Sequence, residues 1–155
     1  MIRIIAIGRM RTGPEADLFA RYVTRIRPKL ELTEIAESAG APAEVKRREG
    51  AALLAALPRN AFAVAVDQDG ASPDSVALSS MLERWLGLGQ PVCFLIGGAE
   101  GLDAAVIGRA DAKLSLGRLT WPHMLARVML AEQIYRARAI SGGHPYHRSG
   151  RPDFN

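Results

Sequence analysis

The chain has 155 residues, 48% hydrophobic and 23% charged, with one cysteine; this is one globular domain's worth of protein, with no internal disulfide and no cysteine-cluster zinc site. No apolar run approaches the roughly 18 residues that would cross a membrane. The net charge of +4 is unevenly spread: residues 1–29 carry seven basic and two acidic groups, residues 30–116 seven and twelve, and residues 117–155 six and two, with all three histidines. A basic head and tail around an acidic middle fit a polyanionic partner touched by both ends.

Ile2–Ile7 is a short β-branched run ending at Gly8 and reads as a buried strand. It has neither the length nor the cleavage site of a signal peptide, so a cytoplasmic location is expected. Pro14 opens a helix to about Arg27, with Leu18, Phe19, Tyr22, Val23 and Ile26 at helical spacing and Pro28 as its stop. Glu31–Glu37 alternates and reads as an edge-like strand. Pro42–Leu57 is a second helix. Phe62–Val66 is a strand, broken by the turn-rich Asp67, Gln68, Asp69 and Gly70. Ser75–Leu86 is a third helix, Pro91–Ile96 a buried strand, and Leu102–Arg109 a short helix. A strand at Lys113–Leu116 and a long helix from Pro122 to about Ser141 complete the chain. Five strands alternating with five helices, with no linker or repeat, predict a single α/β domain over 1–155 with a mainly parallel sheet. Ligands bind such sheets at the carboxyl ends of strands, here Val66-Asp67, Ile96-Gly97-Gly98 and Leu116-Gly117.

Two segments stand out there. Gly97-Gly98-Ala99-Glu100-Gly101 lets backbone approach a ligand closely, yet it matches neither the dinucleotide nor the P-loop pattern. Leu116 to His123 is an apolar, irregular connection, whose free amide groups and apolar faces suit an adenine ring; Leu119 and Trp121 also read as plain core. Residues 124–131 are apolar except Arg127, so this helix is expected to bury more than one side, the second against another subunit. Glu132 and Arg136 read as an ordinary i,i+4 pair. His144, Pro145, Tyr146, His147 and Arg148 suit phosphate and base better than a metal, since no third ligand accompanies the two histidines. Cys93 reads as inert core.

Phe94 to Leu102 and Leu116 to Arg148 together resemble the small SPOUT-class methyltransferases, in particular the family that methylates N3 of a pseudouridine in 23S ribosomal RNA. The resemblance covers the whole chain, including Ala6-Ile7-Gly8 and the Leu82-to-Trp85 helix. It departs at Ala99, where proline or serine is expected, and at Ser149 to Asn155, which extend past the usual end. The resemblance implies a C-terminal trefoil knot, a rare exception to unknotted chains, a homodimer, and S-adenosylmethionine as cofactor. It implies cofactor contacts at Val66, Gly97 and Gly98, and at Leu116, Gly117, Arg118, Leu119, Thr120 and Trp121. RNA contacts fall on Tyr146, His147 and Arg148, with no metal and no membrane.

Methyl transfer from a sulfonium is an in-line displacement, so donor and acceptor must be aligned. The N3 proton must also leave; Arg118 and Arg148 suit stabilising the anion, and His147 and Glu100 are the candidate acceptors, with no choice made between them. Two other classes fit the same pattern. A non-catalytic RNA-binding ribosome assembly factor would not bind S-adenosylmethionine. A flavodoxin-like nucleotide enzyme would need a phosphate cradle after the first strand, for which Gly8 to Gly13 is weakly suited.

Overall fold

The computed structural model describes residues 1–148; the C-terminal extension at 149–155 lies outside the described residues. Ten elements alternate: β1 (Ile2–Ile7), α1 (Pro14–Val23), β2 (Leu30–Ile35), α2 (Pro42–Ala56), β3 (Phe62–Ala71), α3 (Ser75–Gly87), β4 (Val92–Ile96), α4 (Ala104–Arg109), β5 (Ala112–Leu114) and α5 (His123–Ser141). The strands form one sheet in the order β2-β1-β4-β3-β5, and every neighbouring pair is parallel.

Successive side chains of a strand point to opposite faces, and two cores result. Ile2, Ile4, Ala6, Val64 and Phe94 meet Phe19, Leu82, Trp85 and Ile134 from α1, α3 and α5. Ile5, Ile7, Ala65, Cys93 and Leu95 meet Leu53 and Val106 from α2 and α4, with Leu102 beside them. A strand covered on both faces has no polar side to show, which is why all five residues of β4 are apolar and buried. Trp85 stacks on Phe62 at 5.4 Å and meets Phe94 edge-on at 6.2 Å. Burial pushes the Cys93 thiol up in pKa, so it stays protonated and inert.

Helix starts follow local chemistry. Asp74 accepts from the Ala77 N–H at 2.7 Å and Asp103 from that of Ala105 at 3.3 Å, each satisfying an otherwise unpaired donor. Helix α1 ends at Val23 rather than Arg27. Residues 24–26 continue as tighter turns, with Arg25 bonded to the Tyr22 carbonyl and Ile26 to that of Val23; this carries Ile26 into the core, fully buried.

The larger correction is in β3. It does not stop at Val66 but runs on to Ala71, and both Val66 and Ala71 pair with Leu114 of β5. Asp67–Gly70 is therefore an outward bulge within a strand rather than a turn after one. Gly70 permits it, because a Cβ there would lie 2.7 Å from the Lys113 backbone. From the β5 edge the chain returns through residues 115–122 to α5, whose first residues lie against Gly8 at the end of β1.

Candidate functional site

The return segment, the β3 bulge and the glycine loop after β4 enclose a cavity of about 580 Å³ at the carboxyl edge of the sheet. Eight of the nine expected cofactor residues line it: Val66, Gly97, Gly98, Leu116, Gly117, Leu119, Thr120 and Trp121. Arg118 does not line it; its side chain is exposed. Leu119 is 70% and Trp121 39% exposed, so neither is core. Gln68 on the bulge donates to Thr120 Oγ1 at 3.3 Å and to the Leu119 carbonyl at 3.5 Å, holding the return segment over the cavity.

The glycine loop is a tight turn, with the Gly101 N–H bonded to the Gly98 carbonyl at 3.0 Å. A Cβ on Gly97 would lie 2.7 Å from the Gly101 carbonyl oxygen, so the loop's own backbone excludes a side chain. This packing requirement stands beside the expected close approach of a ligand, since Gly97 also lines the cavity. Gly97→Ala therefore forces the turn open. It should cost about 1–3 kcal/mol of stability and at least about tenfold in S-adenosylmethionine affinity at the cavity. Thermal melts and calorimetry read the two effects, and unchanged affinity would contradict the placement. Beneath the loop, Glu49 is 4% exposed; its Oε2 accepts from the Ser38 N–H at 2.9 Å.

Gln68 and Asp69 line the cavity although their turn composition reads as a connection, and Asp67 beside them lies at a strand end that the sequence marks as a ligand position. His123 opens α5, lines the cavity and stands 3.8 Å from Glu37. With Glu100, the two aspartates give the cavity three carboxylates. Val66, Leu116 and Trp121 supply apolar faces. That combination fits a ligand with a flat base at one end and positive charge at the other, as in S-adenosylmethionine.

The tail is not at this cavity. Tyr146 docks on the far half of α5, its hydroxyl donating to Glu132 at 3.1 Å and its ring edge-on to Tyr135 at 4.8 Å. The Arg136 guanidinium sits 4.8 Å above that ring, within 3.1 Å of His147 Nδ1, and also pairs with Glu132 at 2.7 Å. Glu132–Arg136 is thus the anchor of the tail as well as a helix pair. Burial, and secondarily the Glu132 charge, push the Tyr146 phenol well above its ordinary pKa. From His123 to Arg136 is about 20 Å along the helix, at about 1.5 Å per residue. Of the expected site residues, Tyr146, His147 and Arg148 are consequently apart from the cavity within one chain, and Glu100 is on it.

Arg127 is the charge in the apolar stretch of α5, and it is fully buried. It donates to Glu34 at 2.7 Å and to the Ile7 and Gly8 carbonyls at 3.2 and 3.1 Å. Among the described residues no group of three metal-ligating side chains occurs, and no helix is long and apolar enough to cross a membrane.

The sheet order, the glycine loop and the return segment agree with a match over residues 1–147 to the family described as predicted SPOUT methyltransferase, and the chain belongs to that family. It is 65% identical, over 97% of its length and 99% of the relative's, to ribosomal RNA large subunit methyltransferase H of Gluconacetobacter diazotrophicus. The protein of the same name from Acidiphilium cryptum is 54% identical, over 97% of this chain and 96% of that one. Among solved structures, the SpoU methyltransferase AviRb of Streptomyces viridochromogenes with the cofactor AdoMet is 15% identical. It aligns at a TM-score of 0.46, over 89% of this chain and 57% of that one.

Proposed function

We propose that this protein is an S-adenosylmethionine-dependent methyltransferase of ribosomal RNA, acting on N3 of a pseudouridine in the 23S RNA of the large subunit. The observation that carries the reading is the carboxylate-bearing cavity built from the glycine loop and the return segment, in a chain so close to large-subunit methyltransferases over nearly its full length. S-adenosylmethionine supplies a methyl group activated by a sulfonium. Val66, Leu116 and Trp121 offer faces for its base, and the backbone of residues 97–101 offers close approach. Asp67, Asp69 and Glu100 favour positive charge inside the cavity. Glu100 is the candidate proton acceptor that shares the cavity in one chain; His147 and Arg148 join it only from a second copy.

The working unit in this reading is a homodimer with the return segment and α5 threaded as a trefoil knot. Leu125 is exposed and Met129 half-buried on α5, so this helix keeps an apolar side for a partner. Antiparallel packing of two α5 helices sets each tail beside the other copy's cavity, which the tail's distance from its own cavity requires.

Ribosomal RNA from cells with and without the gene should differ by one methyl group, at a pseudouridine of the large-subunit RNA. Sedimentation at micromolar concentration should give a dimer. An unchanged methylation map sinks the substrate assignment; a stable monomer sinks the composite site.

A further inference from the structure

We propose that the loop between β1 and α1 is a contact surface for the phosphate backbone of the RNA substrate, made by Arg9 and Arg11. This inference rests on the RNA reading above and adds a second surface to it, on the opposite end of the chain from the tail.

Three observations converge on the loop. Arg9 and Arg11 are both exposed, and neither has a hydrogen bond or ion pair among the described residues. Of the carboxylates around the end of β1, Glu34 pairs with Arg127 at 2.7 Å and Glu37 faces His123 at 3.8 Å. Two free guanidiniums thus stand at the carboxyl edge of the sheet. The loop leaves the sheet beside the cavity, since Gly8, where it begins, lies against His123 and Met124, and His123 lines the cavity itself.

The loop is also held with unusual care. A buried guanidinium is costly to desolvate, and an apolar side chain of similar volume would fill the same space. Arg127 directs its hydrogen bonds to this one place: the Ile7 and Gly8 carbonyls and Glu34. Glu34 in turn accepts the Met10 N–H at 2.6 Å, and the Met10 side chain packs onto the core under α1 and α5. The backbone is pinned at residues 8 and 10, which leaves residues 9 and 11 directed outward. A held backbone that presents two forked cations suits recognition of phosphate oxygens, because the loop's share of the ordering cost is met before the RNA arrives. The charges divide by task, with carboxylates within the cavity and arginines on the loop that begins beside it. Arg127 acts through the loop and is a positioning residue.

The test uses the full-length protein and large ribosomal subunits from cells lacking the gene, with methyl transfer followed at several salt concentrations. The double variant Arg9→Ala/Arg11→Ala should raise the KM for subunits about tenfold or more, with kcat at saturation largely kept. The slope of log kcat/KM against log salt should become shallower by about two, about one for each phosphate no longer neutralised. S-adenosylmethionine affinity by calorimetry should stay within twofold. Arg127→Lys keeps a charge but not the fork; it should raise the KM for subunits without changing cofactor affinity. Wild-type KM and salt slope in the double variant overturn the proposal, as does a fall in kcat alone. Should the wild-type protein transfer no methyl group to these subunits, the RNA reading itself fails, and the loop assignment with it.

Discussion

Arg127→Met should lower the unfolding free energy by about 3 kcal/mol, the lower end of what breaking a buried ion pair costs. The side chain removed is 0% exposed, and its partner Glu34 retains 27% exposure, so water can take up part of the charge left behind. What water cannot repair is the pair of carbonyls, Ile7 and Gly8, that lose their donor inside the fold. Against a total stability of about 5–15 kcal/mol for a domain, this is a large fraction. Urea denaturation should show the midpoint falling with an unchanged slope. Adding Glu34→Leu should recover only a small part of the loss, because the two carbonyls stay without a donor and the Met10 N–H loses its acceptor. A single-variant loss under about 1 kcal/mol would show that the pair is not what secures the end of β1.

Truncation after Gly143 should separate cofactor binding from methyl transfer. S-adenosylmethionine affinity should stay within a few-fold, since the cavity is built from residues 66–69, 96–102 and 116–126. The rate on ribosomal subunits should fall by about a hundredfold or more, because the RNA base is no longer aligned. Tyr146→Phe is the finer probe: it keeps the ring on Tyr135 and under Arg136 but gives up the bond to Glu132. Its effect on rate should be smaller than that of Tyr146→Ala, which removes packing worth about 0.5–1.5 kcal/mol. A truncated protein working at the wild-type rate would remove the tail from the site.

The fold was largely legible because its strands are covered on both faces. Runs such as Ile2–Ile7 and Val92–Ile96 have no other reading once glycine or proline bounds them. The β3 extension was not legible. Asp67, Gln68, Asp69 and Gly70 have the composition of a turn, and only the partner strand β5 shows that the chain returns to pairing at Ala71. Arg127 was legible in principle. Positions 127, 130, 131, 134 and 137 make one helical stripe, and all are buried, so a charge there needed a partner. Glu34 sits on the same face of β2 as Leu30 and Leu32, toward that stripe. The cavity lining was readable from strand ends and from the family pattern. The tail's docking was not, because it depends on Tyr135, Glu132 and Arg136 arriving on one side of a helix whose other neighbours no local pattern reveals.

The strand order bears on when the chain can acquire structure as it is made. β1 pairs with β2 on one side and with β4 on the other, while β3 touches only β4 and β5. Until Val92–Ile96 has been synthesised, the first two strands and the third share no hydrogen-bonded edge. More than half the chain must therefore leave the ribosome before the sheet's two halves can join, and the loop-closure entropy of that joining is borne late. β4 is the shared seam: a lesion there, such as a charge at Phe94, should leave two half-sheets with open parallel edges, a state prone to association with its neighbours rather than to simple local loosening.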